Sequence, residues 1–354
     1  MTVTSSRTLT RSRWWLWVSS ACVVTVVVLV GCLGIGTQSI SYSRILAIVL
    51  DSVGGISLEQ SLSDPTSIIL LQVRMPRVLL AFLVGGSLAM VGVALQALLR
   101  NPLADPFVIG ISSGAALGAA IALLFGVGIS VGSISALPVC AFTGALLSLM
   151  IMYRISSAQL GFSVYTLLLA GVVLNAIFSA FIMFLTSIAD PNRVFGMYAW
   201  LMGTLTGPDW STLGMLMLYL GVGLFILGMH AQSLNLLTLG EETARSLGVE
   251  VERVKKAVFL AAALLTGAVV SFSGIIGFVG LIIPHAVRLV VSADHRLLLP
   301  MAGLMGGMFL MMADTVARTA LSPSEFPVGV ITALVGGPIF LWLLTTRQTQ
   351  LGMK

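Results

Sequence analysis

Residues 232–256 read QSLNLLTLGEETARSLGVEVERVKK and hold Glu241, Glu242, Arg245, Glu250, Glu252, Arg253, Lys255 and Lys256, in a 354-residue chain of which only 9% is charged. The rest is overwhelmingly apolar, with 58% hydrophobic residues overall, whereas a soluble domain carries about 25% charged residues. This composition is that of a polytopic membrane protein, and an internal segment that gathers charge in such a chain is one presented to water. The segment has helix signals of its own. Thr238 and Glu241 fit a capping box, Glu241 and Arg245 stand at i,i+4 with the acid first, and Gly248 suits the left-handed position that ends a helix. The spacing predicts a helix of about nine residues over 239–247, too short to be stable alone in water. Locally it reads as a solvated connecting helix or as a contact surface for a partner; its surroundings decide between them.

Crossing a bilayer takes about 20 apolar residues. Working outward from the charged segment, the apolar runs predict spans at 14–36, 66–99, 107–127, 129–153, 160–189, 210–230, 297–318 and 327–346. Residues 194–208 are uncharged but too short to cross, and predict a half-helix at the outer surface. The run 14–36 also exceeds the roughly 7–15 residues of a signal-peptide core, so it predicts a retained span. The region 257–293, interrupted by His285 and Arg288, is long for one crossing and short for two. Charge distribution arbitrates: two crossings, at 257–277 and 278–293, leave 13 Lys and Arg inside and 5 outside, whereas one crossing gives 10 and 8. The positive-inside rule therefore predicts ten spans. Both termini and residues 232–256 then lie on the cytoplasmic side, and Gly274, Gly277 and Gly280 supply the reversal between spans seven and eight. The expected fold is one all-α transmembrane domain over 1–354. A loose likeness between the stretches beginning at Leu83 and Leu264 makes spans 2–5 and 7–10 two sets of opposite direction, an arrangement common in transporters.

Chemistry is sparse. No GxxxxGK[ST] occurs, so the chain has no P-loop with which to hydrolyse ATP. Cys22, Cys32 and Cys140 lie within apolar runs, and His230, His285 and His295 are scattered, so no metal set, cofactor site or catalytic group is expected. The basic residues sit at the ends of apolar runs, which gives no nucleic-acid surface. Among ionisable groups only Arg288 and Asp314 fall deep in the apolar regions. Asp314 precedes Arg318 by one helical turn, and a local ion pair is expected there in place of a proton site. With neither an ATP site nor an ion site, the energy must come from a partner. Asn101-Pro102-Leu103-Ala104-Asp105-Pro106 predicts a rigid inner turn, either a connector or part of a gate. Arg74, Arg77 and Arg318 are placed outside, where they either anchor helices at the headgroups or dock an acidic partner.

Six stretches carry a family resemblance: RMPR (74–77), ALLRNPLADPFVIGISSGA (97–115), LNLLTLGEETARSLGV (234–249), SGIIGFVGLIIPHAVR (273–288), HRLLLP (295–300) and DTVAR (314–318). In this order the chain resembles the iron-siderophore, haem and cobalamin permeases, the transmembrane subunits of type II ABC importers, from about residue 74 to 344. The resemblance implies an inner-membrane homodimer, two cytoplasmic ATPase subunits that use ATP, and a periplasmic or lipid-anchored binding protein that delivers substrate. It makes 239–247 the coupling helix, with Gly240, Glu241, Ala244, Arg245 and Gly248 at the matching positions. It also makes Arg74, Arg77 and Arg318 docking residues for the binding protein, and puts Asn101, Leu103 and, with a weaker local match, Tyr165 at the cytoplasmic gate. An ion-coupled secondary transporter or channel is the competing expectation.

Overall fold

In a computed structural model, residues 10–36, 38–54, 64–126, 136–156, 163–205, 207, 209–322 and 324–350 are described. Residues 127, 129–135, 160–162, 206 and 208 of the expected spans and half-helix, together with Arg7, Glu59 and Lys354, lie outside them.

The described chain is helical, and a bridge between Leu321 and Ser324 is its only extended pairing. The long helices are α1 (Arg11–Gly34), α3 (Pro65–Leu98), α5 (Ala136–Ser156), α6 (Val164–Ile188), α8 (Trp210–Met229), α11 (Val251–Ser273) and α13 (His295–Thr319). These seven are long and apolar enough to cross a membrane, which makes the chain a multi-pass membrane protein. Three shorter apolar helices, α4 (Ile111–Phe125), α12 (Val279–Val290) and the apolar part of α14 (Val328–Gln350), complete the bundle. Four helices lie between these: α2 (Tyr42–Gly54), α7 (Pro191–Leu201), α9 (Ala231–Thr238) and α10 (Glu241–Ser246).

Helix α3 is the axis of the fold and packs against α1, α8, α11, α12 and α13. A lipid environment offers no hydrophobic gain for bringing helices together, so close backbone approach does the work. A Cβ on Gly92 of α3 would overlap the Gly280 carbonyl oxygen of α12, and Gly114 and Gly144 hold α4 against α5 in the same way. Helices α6 and α8 instead leave Val172, Val173, Phe181, Phe184, Leu218, Val222 and Phe225 exposed.

The region 257–293 folds as two helices joined by an extended segment. Gly274 takes a positive φ of 65° as the reversal requires, but the second positive φ, 70°, falls on Phe278 and not on Gly277. Thr204 N–H donates to the Ser273 carbonyl at 2.8 Å, and the 203–205 stretch packs against this segment. Irregular backbone of this kind survives inside a bundle only where protein or a cavity surrounds it.

Candidate functional site: two charged ends of one bundle

At one end stands a helical hairpin. Helix α9 is amphipathic, with Leu234 and Leu237 buried against the bundle. The expected capping box is not formed. Thr238 belongs to the last turn of α9 and its hydroxyl donates back to the Asn235 carbonyl at 2.6 Å, while Gly240, with φ 119°, serves as N-cap of α10 without a side-chain bond. Helix α10 is accordingly shorter than predicted, Glu241–Ser246. It ends as expected on Gly248 at φ 87°, where Val249 N–H donates to the Ala244 carbonyl and Gly248 N–H to the Arg245 carbonyl, the paired bonds of a Schellman motif.

The Glu241–Arg245 pair is absent as well, because both residues find better partners on α11. Lys255, only 5% exposed, bridges Glu241 at 3.0 Å and Glu252 at 3.3 Å, and Arg245 reaches Glu252 at 3.6 Å. Hairpin and helix start are one ionic unit. Ala244 is fully buried, whereas Leu239 and Leu247 are 65% and 58% exposed. A ridge of two leucines with charged flanks therefore faces outward. Behind it, Asn235 donates to Asp294 Oδ1 at 2.8 Å and accepts from the His295 backbone N–H at 2.8 Å, so α9 is tied to the first residue of α13. Burial opposes ionisation of Asp294, but hydrogen bonds from Arg296 and Asn235 hold its carboxyl down at about 2.

Close by, Asn101 Oδ1 accepts from Leu103 N–H at 2.9 Å and closes the proline-flanked turn. The turn is fastened by Gln96, a buried residue of α3 whose amide donates to the carbonyls of Gly280 at 3.2 Å and Ala104 at 3.5 Å and accepts from Arg288. Asp105 caps the following turn through Phe107 N–H at 2.9 Å, and burial pushes its carboxyl up to about 6. Leu103 is 45% exposed, and Tyr165, on the first turn of α6, is 72% exposed.

The opposite end holds the three arginines, and all are buried, at 5% exposure for Arg74, 9% for Arg77 and 6% for Arg318. Arg74 closes a π turn over Ile69–Arg74 and donates to the Leu33 and Gln38 carbonyls. Asp314, fully buried, forms the expected local pair with Arg318, but that pair is the longer of two. Its main partner is Arg77 of α3, at 2.9 Å, while Arg318 is 3.8 Å away. Arg77 also binds Glu325 at 2.9 Å. Arg318 donates to the Cys32 carbonyl and to Thr315 Oγ1. Gln96, Asn235 and Lys255 stand in the site although none was among the expected site residues. Only Gln96 had a visible signal, a lone amide in an apolar run.

Among the described residues no group of His, Cys, Asp and Glu could hold a metal ion. The arrangement offers an exposed ridge, a fastened turn and a buried ionic lock, parts suited to movement.

Comparison with known proteins follows the same lines. The cobalamin import system permease protein BtuC of Halobacterium salinarum is 44% identical over 293 residues, covering 83% of this chain and 78% of the relative. The hemin transport system permease protein HmuU of Yersinia pestis is 43% identical over 316 residues, covering 86% and 93%. A solved ABC transporter described as of metal-chelate type, in an inward-facing conformation, superposes with a TM-score of 0.79 at 33% identity, covering 93% of this chain and 98% of that one. The profile of the FecCD transport family matches residues 23–346, and the chain belongs to that family.

Proposed function

We propose that the chain is the transmembrane permease subunit of an ATP-driven ABC importer that carries an iron chelate (ferric siderophore or haem) or cobalamin across the inner membrane. The hairpin carries this reading: an exposed Leu239 and Leu247 flanking a short charged helix, held rigidly by Lys255 and Asn235, are the form of a lever that another protein moves. The relatives named above support the substrate range.

On this reading ten helices cross, spans 2–5 and 7–10 run in opposite directions, and both termini and the hairpin are cytoplasmic. Two copies form the pore, two ATPase subunits engage the short helix at Gly240, Glu241, Arg245 and Gly248 while buried Ala244 seats it on the bundle, and a periplasmic or lipid-anchored binding protein docks outside. Asn101, Leu103 and Tyr165 shape the inner gate. Arg74, Arg77 and Arg318 serve docking by organising the outer surface, because their donors are engaged internally. ATP binding in the partners biases the permease between two states through differential contacts, and the permease itself does no bond chemistry. An ion-coupled mechanism finds little support, since the buried carboxylate of Asp314 is held by Arg77 and Arg318.

The test is Arg245→Glu in the reconstituted importer. Folding, followed by thermal melting, stays as in wild type, and ATP-driven uptake is lost. Gradient-driven uptake by the chain alone in liposomes would overturn the reading.

A further inference from the structure

Helix α7 stands between two cavities of nearly equal size and opposite character. One, of about 390 Å³, reaches Arg77, Asp314 and Glu325. The other, of about 400 Å³, opens between α4, α6, α7 and the extended segment after α11, and its described lining holds no charged residue. Its polar groups are Ser112, Ser113, Asn175, Ser179, Thr186 and Tyr198.

These groups are unequally engaged. Ser113 donates to the Gly110 carbonyl at 2.9 Å and Thr186 to that of Met183 at 2.8 Å, so each keeps only its acceptor side for a ligand. Ser112 is 2% exposed, and its Oγ has no hydrogen-bond partner among the described residues. A buried hydroxyl left unpaired in the resting protein calls for an explanation. Here it lines a cavity whose far wall presents Asn175 and Ser179, both exposed and one helical turn apart on α6. Hydroxyls and an amide offer donors and acceptors together, which matches a carboxamide, hydroxamate or hydroxyl edge. A carboxylate edge would have to leave water for a site without a cation, at a cost that neutral donors only partly repay.

From this cavity we infer a contact station for the neutral, amide-bearing edge of the transported chelate, with Ser112, Asn175 and Ser179 as its recognising residues. The inference rests on the permease reading and narrows its substrate class to neutral amide-edged chelates over carboxylate-edged ones. Its volume holds an edge group of a large chelate.

The test measures ATP-dependent uptake by the complete importer, with cyanocobalamin and ferrichrome as neutral amide-edged probes and hemin as the dianionic probe. Wild type takes up at least one neutral probe faster than hemin. Ser112→Ala combined with Asn175→Leu lowers that uptake about tenfold, the loss of one to two hydrogen bonds, with ATPase activity and melting temperature unchanged. Ser179→Lys shifts preference toward hemin. Faster hemin uptake by wild type, or ATP-driven uptake indifferent to all these variants, overturns the station and leaves the permease intact. Absence of ATP-dependent uptake of every probe by wild type overturns both.

Discussion

The two charged ends of this bundle use the same chemistry for opposite purposes. At the arginine end the side chains of Arg77 and Asp314 are 10% and 1% exposed and 2.9 Å apart. At the hairpin end the pairs Arg245–Glu252 and Arg253–Glu250 involve side chains that are 59% and 41%, and 82% and 72%, exposed. A pair in water contributes about 0–1 kcal/mol, whereas breaking a buried pair strands an unsolvated charge. The arginine end is therefore a lock, and the hairpin end a surface whose charges are there to be met. Geometry, not residue type, separates them.

The contrast breaks first, if it breaks, at Asp314. Asp314→Ala leaves Arg77 and Arg318 buried beside a void, and the expected loss is about 3–5 kcal/mol in a denaturant titration in detergent; a loss below about 1 kcal/mol would mean that water already reaches the cluster. Lys255 is the hairpin end's buried exception. Lys255→Met removes the cation shared by Glu241 and Glu252, for an expected cost of about 1–3 kcal/mol, and protease sensitivity within 239–250 should rise with it.

Asp105 sharpens the comparison as a buried carboxyl with only a backbone partner. Its folded value of about 6 lies above the roughly 3.9 of an unfolded aspartate, so the native state binds the proton more tightly. The penalty for ionisation is fully present above pH 6 and is relieved as pH falls toward 4. Wild type should thus gain stability on acidification from pH 7 to 5. Asp105→Asn should lack that gain and be more stable at pH 7 by on the order of 1–2 kcal/mol. A melting temperature of wild type that falls over this interval while that of the variant does not would count against the assignment. The smallest effect belongs to Arg245→Ala, within about 0.5 kcal/mol of wild type, even though transport should fail.

Apolar run length was enough to read most of the long helices, though not α2 or the division of 257–293, and Gly248 was enough to read the end of α10, because both depend on neighbours in the chain. The ionic partners were not legible for the converse reason. Arg77 and Asp314 are 237 residues apart, and the i,i+4 spacing of Asp314 and Arg318 pointed to a weaker contact than the one that the packing of α3 on α13 supplies. Thr238 misled in the same manner: a residue suited to begin one helix closes the one before it, since Leu234 and Leu237 already commit 231–238 to an amphipathic turn. Nor does spacing along residues 232–256 show that Lys255 of α11 holds Glu241 of α10, fourteen residues earlier.

The Asn235 bond to the start of α13 has a mechanical consequence. Helix α13 has 25 residues, a rod of about 37 Å at 1.5 Å per residue. Asn235 grips one tip at Asp294 and His295, and the other carries Asp314 and Arg318. Whatever displaces the hairpin therefore pulls on a single continuous helix whose far end is seated in the arginine lock. The two ends of the bundle cannot move independently: a displacement of the hairpin reaches the arginine cluster as tilt of α13.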